Sequence, residues 1–218
     1  MKRPTIAVAI ICKNEEDNIA RVINSVKDVV DKVYITDTGS TDRTVEIATE
    51  LGCEVNHFKW VNDFAAARNF SFAAVQEDFI FWVDADDTLE NKEAFINWRD
   101  DAMGLADYWM ANYHYAHDDK GNPVCSFTRE RVIRNSKHFR WKYAVHEGIT
   151  PDSGIQPVRI QFSPTWFIKH HRTEADIVKD RSRNLNILEK MQNRDSRMEY
   201  YYGKELFENN RIYDAAKT

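Results

Sequence analysis

The sequence predicts an α/β protein with a mostly parallel, doubly wound sheet. Short apolar runs alternate with segments of helical periodicity over the first part of the chain, which is typical of strands joined by helices. Residues 79–83 are entirely apolar, as in a strand buried on both faces of a parallel sheet. Polar loops follow three predicted strands, and right-handed crossovers would bring those loops together at one sheet edge, where ligands bind.

The first elements follow from composition and spacing. Predicted strands share apolar, β-rich sequences and cover residues 5–12, 33–36, 53–58 and 79–83. Helices between them carry apolar residues at helical spacing, and Asp63 is predicted to cap the third, over residues 64–75.

The following part of the chain predicts a helix over residues 91–103 and then two aromatic-rich alternating segments. These cover residues 108–117 and 124–134 around a turn at 118–123, and we expect an antiparallel hairpin packed on the main sheet. Aromatic residues here belong to the core by default, with sugar stacking by Trp109, Tyr113 or Trp141 as the alternative.

From Thr173 the chain becomes helical, and residues 198–216 are similar to one tetratricopeptide-like hairpin. One such hairpin cannot bury its apolar face alone. We therefore expect a first domain over residues 1–172 and a helical extension over 173–218, either a truncated repeat or an element packed on the first domain, on a partner or in a homodimer.

Bulk properties exclude several classes. A formal net charge of −5 over 218 residues argues against general nucleic-acid binding. Three widely spaced cysteines exclude a disulfide framework and fit a reducing cytoplasm. No segment has the length and apolarity of a membrane span, and we expect a cytoplasmic location.

Three carboxylates, Asp84, Asp86 and Asp87, follow the apolar run 79–83. Because carboxylates inside a buried strand would be costly, they should lie past its carboxyl end. Hard oxygen ligands suit Mg²⁺ or Mn²⁺, which in turn hold phosphate, while an ordinary surface turn is the alternative. There is no G-x-G-x-x-G or P-loop signature, so Arg68 and the metal would neutralise phosphate instead.

Four ordered segments carry a family resemblance: residues 8–16 (VAIICKNEE), 36–42 (TDTGSTD), 64–69 (FAAARN) and 82–87 (WVDADD). Together they resemble family 2 glycosyltransferases. The resemblance implies a GT-A fold, Rossmann-like, with a nucleotide-diphosphate sugar as donor, Mn²⁺ or Mg²⁺ as cofactor and inversion at the anomeric carbon. We expect a UDP-sugar.

The resemblance also implies roles for individual residues. Those expected to bind the donor or metal are Lys13, Glu15 and Asp37 at the nucleoside, Arg68 at the diphosphate, Asp84 at the ribose or metal, and Asp86 and His170 at the metal. His170 ends an apolar run late in the chain, and imidazole suits Mn²⁺ better than Mg²⁺.

An inverting transfer needs a base for the acceptor proton. Glu147, in a Val-His-Glu segment that recurs in the family branch with C-terminal helical repeats, is the first candidate and Asp87 the second. A salt-bridged or capping carboxylate is the alternative for Glu147.

Two other functions stay open on the sequence alone. A metal-dependent nucleotidyltransferase would use a similar sheet, but residues 13–16 (KNEE) stand where its basic glycine-rich loop is expected. The second alternative is a non-catalytic protein that binds nucleotide sugars or interacts with partners through its helical repeat. The acceptor, whether saccharide, lipid, peptide or modified base, is not readable.

Overall fold

A computed structural model describes residues 3–136, 139–151, 159–171 and 174–217. Its main feature is an eight-stranded mixed sheet with the order β3-β2-β1-β4-β7-β6-β10-β5. The strands are β1 (Ile6–Cys12), β2 (Lys32–Asp37), β3 (Glu54–His57), β4 (Phe79–Trp82), β5 (Asp87–Glu90), β6 (Tyr108–His117), β7 (Pro123–Arg134) and β10 (Ile160–His170).

The first half of the sheet is parallel, as predicted. β1 pairs in parallel with β2 on one side and β4 on the other, and Cys12 lies opposite Asp37 in register. The loops that follow β1 and β2 therefore leave the sheet at the same edge. The connecting helices are α1 (Ile19–Val26), α2 (Thr44–Glu50) and α3 (Phe64–Ala74). The predicted cap of α3 is confirmed, because the Asp63 side chain accepts the Ala66 N–H at 2.8 Å.

The aromatic hairpin is confirmed, but its predicted position on top of the sheet is wrong. β7 pairs antiparallel with both β4 and β6, so the hairpin extends the sheet itself. The physical reason is that the edge of β4 would otherwise present unpaired backbone groups. Trp109, Tyr113 and Trp141 are each at most 5% exposed and belong to the core.

The sequence analysis did not predict strand β5 or the separate two-stranded sheet of the structure. β5 begins at Asp87, the last of the three carboxylates, and pairs antiparallel with β10. Its Leu89 N–H donates to Ser25 Oγ on α1. A separate two-stranded sheet joins β8 (Phe139–Lys142) to β9 (Gly148–Pro151). The loop between these strands, residues 143–147, contains the Val-His-Glu segment.

The remaining helices are α4 (Lys92–Asp101), a 3-10 helix (Met103–Leu105), α5 (Glu174–Lys190), α6 (Ser196–Glu208) and α7 (Ile212–Ala215). Val145 packs with Ile187, Leu188 and Met198, so helices α5 and α6 lie against the loop of residues 143–147. The predicted domain boundary, residues 172 and 173, lies outside the described residues. Among the helices described, none combines the length and apolarity needed to cross a membrane.

Candidate active site

The site begins where β5 and β10 meet. Their antiparallel pairing sets Asp87 opposite His170, although 83 positions separate them in the chain. His170 Nδ1 lies 3.0 Å from Asp87 Oδ1 and 3.6 Å from Asp86 Oδ1. Ligand atoms from Asp86, Asp87 and His170 all lie within 4.8 Å of one another. Two adjacent ligands of Mg²⁺ or Mn²⁺ are about 3 Å apart, so the spacing suits one divalent cation.

Asp87 is the fully buried member of this group. Its Oδ1 accepts the Tyr113 hydroxyl at 3.0 Å, and its Oδ2 accepts the Asp84 N–H at 3.1 Å and Arg131 Nη1 at 3.3 Å. Arg131 is also fully buried and lies against the rings of Trp82 and Tyr113. Asp87 is therefore fixed by hydrogen bonds and an ion pair on both oxygens.

His170 has one ring nitrogen engaged and one without a partner. Nδ1 is held by Asp87, whereas Nε2 is buried without a hydrogen-bond partner in the described part of the chain. Burial alone would lower the pKa of His170, but the hydrogen bond to Asp87 and the charge of Asp86 raise it. A buried ring nitrogen without a partner, on a ring that a carboxylate orients, fits a metal ligand.

The pKa of Asp86 lies well above the usual range of an aspartate. Burial raises its pKa to about 7, with His170 opposing and Asp87 and Asp84 adding to the rise. Its side chain is 25% exposed, so it is accessible in a way that Asp87 is not. Concentrated negative charge and an oxygen–nitrogen donor set both favour a divalent cation here.

Asp84 lies beside this group but is bound to Arg68. Arg68 Nη2 donates to Asp84 Oδ1, and Arg68 Nε donates to Glu147 Oε1, both at 2.7 Å. The guanidinium lies against the rings of both Trp82 and Trp141, at 4.7 and 5.0 Å from their centroids. Burial raises the pKa of Asp84, but Arg68 and Arg131 outweigh it and hold that pKa below its usual range.

Glu147 reaches Arg68 because helix α3 holds the β8–β9 hairpin. Asn69, next to Arg68 on α3, donates to the Trp141 carbonyl at 2.9 Å and accepts its N–H at 3.0 Å. Within the described residues, Glu147 forms its hydrogen bond and ion pair through Oε1, and its side chain is 12% exposed. Contacts thus run continuously from Glu147 through Arg68, Asp84 and Asp87 to His170.

Asp37 ends β2, and Lys13 and Glu15 lie in the β1–α1 loop, so the predicted nucleoside residues are at the same sheet edge. Asp37 accepts N–H bonds from Gly39 and Ser40, and these outweigh the effect of burial to lower its pKa. The Glu15 N–H donates to Thr44 Oγ1 at 2.7 Å, which joins the β1–α1 loop to the start of α2. Lys13 is exposed in the same loop.

The structure brings together Asp86, Asp87 and His170 as one group, and Arg68, Asp84 and Glu147 as another. Sequence reasoning did not identify Arg131, the contact of the Tyr113 hydroxyl with Asp87, or the role of Asn69 in holding the β8–β9 hairpin. Arg131 and Tyr113 lie in the aromatic hairpin, where nothing in the pattern indicates which residues face the carboxylates. The sequence did contain an indication for Asn69, because it directly follows Arg68 in the segment 64–69 (FAAARN) that carries the family resemblance.

Residues 7–98 match the family described as Glycosyl transferase family 2. A TPR repeat-containing protein of Synechococcus elongatus is 44% identical over 186 residues, which cover 81% of this chain and 44% of that protein. The chain therefore spans less than half of that relative's length.

Two solved structures share the fold. A 1–349 fragment of TarS from S. aureus, in complex with UDP-GlcNAc, has a TM-score of 0.53 at 14% identity, covering 93% of this chain and 71% of that one. Glucosyl-3-phosphoglycerate synthase from Mycobacterium tuberculosis, in complex with Mn²⁺, UDP and glucosyl-3-phosphoglycerate, has a TM-score of 0.53 at 18% identity, covering 88% and 82%. The likeness confirms the GT-A fold expected from the sequence.

Proposed function

Because residues 7–98 carry a family 2 glycosyltransferase domain, we propose that this chain transfers a sugar from a nucleotide-diphosphate donor to an acceptor nucleophile. The observation that carries the proposal is the group of Asp86, Asp87 and His170 at the carboxyl end of β4. It stands in contact, through Asp84 and Arg68, with a second carboxylate, Glu147.

Asp86 and His170 are the residues that would hold Mn²⁺ or Mg²⁺, and the orphaned Nε2 of His170 supports this assignment. Asp87 orients the His170 ring from the buried side. Asp84 is the further candidate for the ribose or metal. A divalent cation bound here supplies positive charge that stabilises the departing diphosphate.

Glu147 accepts the proton of the acceptor nucleophile as that nucleophile attacks the anomeric carbon. Its carboxylate is oriented by Arg68, with Oε1 bonded and Oε2 left for the acceptor. Asp87, the other candidate base, is fully buried and bonded on both oxygens, so we assign the proton to Glu147. Attack opposite the leaving group inverts the anomeric centre, an outcome taken from the family resemblance.

UDP is the proposed nucleotide. UDP or UDP-GlcNAc is bound in the two structures of the same fold, and one of them also holds Mn²⁺. In this chain Asp37 would read the base edge, with Lys13 and Glu15 beside the nucleoside, and Arg68 stays the candidate contact near the diphosphate.

Calorimetric titration of the protein with UDP, GDP, CDP and dTDP, each with and without Mn²⁺, tests the proposal. We expect Mn²⁺-dependent binding of UDP in preference to the others. His170→Ala should weaken that dependence, while His171→Ala, which removes a neighbouring imidazole bonded to Thr88 Oγ1, serves as the matched control. Binding of no diphosphate under any condition would contradict the proposal and favour an interaction protein.

A further inference from the structure

The loop of residues 143–147, which presents Glu147, is held from two directions. On one side the Phe64 N–H, at the start of α3, donates to the Ala144 carbonyl at 2.8 Å. On the other side lie α6 and the residue that caps it. Tyr143 donates its hydroxyl to Asp195 Oδ2 at 2.9 Å, and Arg197 Nη2 donates to the His146 carbonyl at 3.1 Å.

Glu205 of α6 makes the most unusual of these contacts. It is 2% exposed, and its Oε1 lies 2.9 Å from His146 Nε2 and 3.2 Å from Asn184 Nδ2. Its Oε2 is buried and, within the ranges the structure covers, has no hydrogen-bond partner. Burying a carboxylate is costly, so a helix that only covered the loop would be better served by an apolar residue at this position.

The backbone of the held loop is strained at two positions. Tyr143 has φ +74° and His146 has φ +52°, the left-handed region that residues with a side chain rarely adopt. Such a conformation costs free energy and persists only where the surroundings impose it. For His146 the surroundings are Glu205 and the Tyr201 ring, which stacks on the imidazole at 4.0 Å and 11°.

His146 directly precedes Glu147, so the direction of the Glu147 side chain depends on the conformation that α6 imposes on His146. Glu147 Oε1 meets Arg68 Nε at 2.7 Å in that conformation. We propose that Glu205 is a positioning residue: by holding His146 from α6, it sets Glu147 against Arg68 and towards the acceptor. This inference rests on the role proposed for Glu147 above. It means that helix α6 contributes to the site by orienting Glu147.

Glu205→Ala, compared with Glu205→Gln and Leu206→Ala, separates positioning from simple helix stability. Glutamine keeps an acceptor oxygen for His146. Leu206 is fully buried in the same helix but does not belong to the apolar cluster around Val145 of the loop, so its truncation weakens the packing of α6 and keeps the Glu205 carboxylate.

In the full chain, below the melting transition of all variants, we expect Glu205→Ala to lower kcat about 10- to 100-fold, because small misplacements of catalytic groups have effects of that size. UDP affinity in Mn²⁺ should change less than about twofold, because Glu205 touches no residue assigned to the donor. Glu205→Gln should recover most of the kcat, and Leu206→Ala should keep it. An equal loss of kcat in Leu206→Ala, or none in Glu205→Ala, overturns the inference.

Hydrogen–deuterium exchange of the peptide spanning residues 139–151 provides a readout that does not need activity. The β8–β9 amides should lose protection in Glu205→Ala and keep it in Leu206→Ala. Unchanged protection in Glu205→Ala overturns the inference even if the enzyme is active. A wild-type protein that binds no diphosphate would instead contradict the proposed function, and exchange would still decide whether Glu205 holds the loop.

Discussion

Arg68 and Glu147 form a buried ion pair at 2.7 Å, although 79 positions separate them in the chain. Because Arg68 also binds Asp84, one guanidinium joins the end of β4 to the β8–β9 hairpin. The Arg68 guanidinium compensates the charge of Glu147, which would otherwise be nearly buried and alone, and it also pairs with the partly exposed Asp84. The pair with Glu147 is also the contact through which a base on the hairpin is kept near the carboxylates after β4.

Asp86→Asn should abolish Mn²⁺-dependent UDP binding, because an amide has no negative charge to offer the cation. Asp119→Asn, a matched change in the exposed turn between β6 and β7, should bind as the wild type does. Calorimetry measures the affinity and circular dichroism checks the fold. Normal Mn²⁺ dependence in Asp86→Asn would remove this residue from the metal site.

Glu147→Gln should lower transfer about 10²- to 10⁴-fold, the usual contribution of a general base. Because glutamine can still accept the Arg68 hydrogen bond, UDP and Mn²⁺ should bind with unchanged affinity. Rates measured with saturating donor, together with calorimetry, separate the two effects. Full transfer by this variant would return the role of base to Asp87 or to another group.

Arg131→Met should lower the free energy of unfolding by about 3–5 kcal/mol, because it leaves the buried Asp87 carboxylate without its cation. Arg43→Met breaks the exposed pair with Glu46 and should leave the free energy of unfolding nearly unchanged. Urea denaturation followed by fluorescence gives both values. Similar small effects for the two variants would argue that Arg131 does not compensate Asp87.

The stability that the ion pairs of Asp107 contribute should depend on pH, and comparison of the wild type with Asp107→Asn measures that contribution. Burial raises the pKa of Asp107, but hydrogen bonds from Arg159 and Arg134 outweigh it and lower the pKa from 3.8 to about 2. A depressed pKa contributes stability that is present above the unfolded value and is lost as pH falls through the folded value.

The stability difference between wild type and Asp107→Asn should therefore be about 1 kcal/mol above pH 4, where Asp107 is charged in both states, and vanish near pH 2. Urea denaturation at a series of pH values measures it. A difference that stays constant down to pH 2 would show that the carboxylate charge does not matter here.

The parallel half of the fold was predictable because its signals are local. Apolar runs, helical spacing and the Asp63 cap each depend on a few neighbouring residues, and β1, β2, α3 and β4 were found where they were expected. The carboxylates after β4 were predictable for the same reason, since a buried strand excludes them.

The sequence by itself thus determined the parallel half of the sheet, the family resemblance and the residue types of the site. Tertiary structure alone decided the pairing of β5 with β10, which sets Asp87 against His170, and the burial of Arg131 beneath them. It also decided that Glu205 of α6 holds His146, a contact across 59 positions. Such contacts depend on strand register and helix packing between distant segments, and local periodicity carries no information about either.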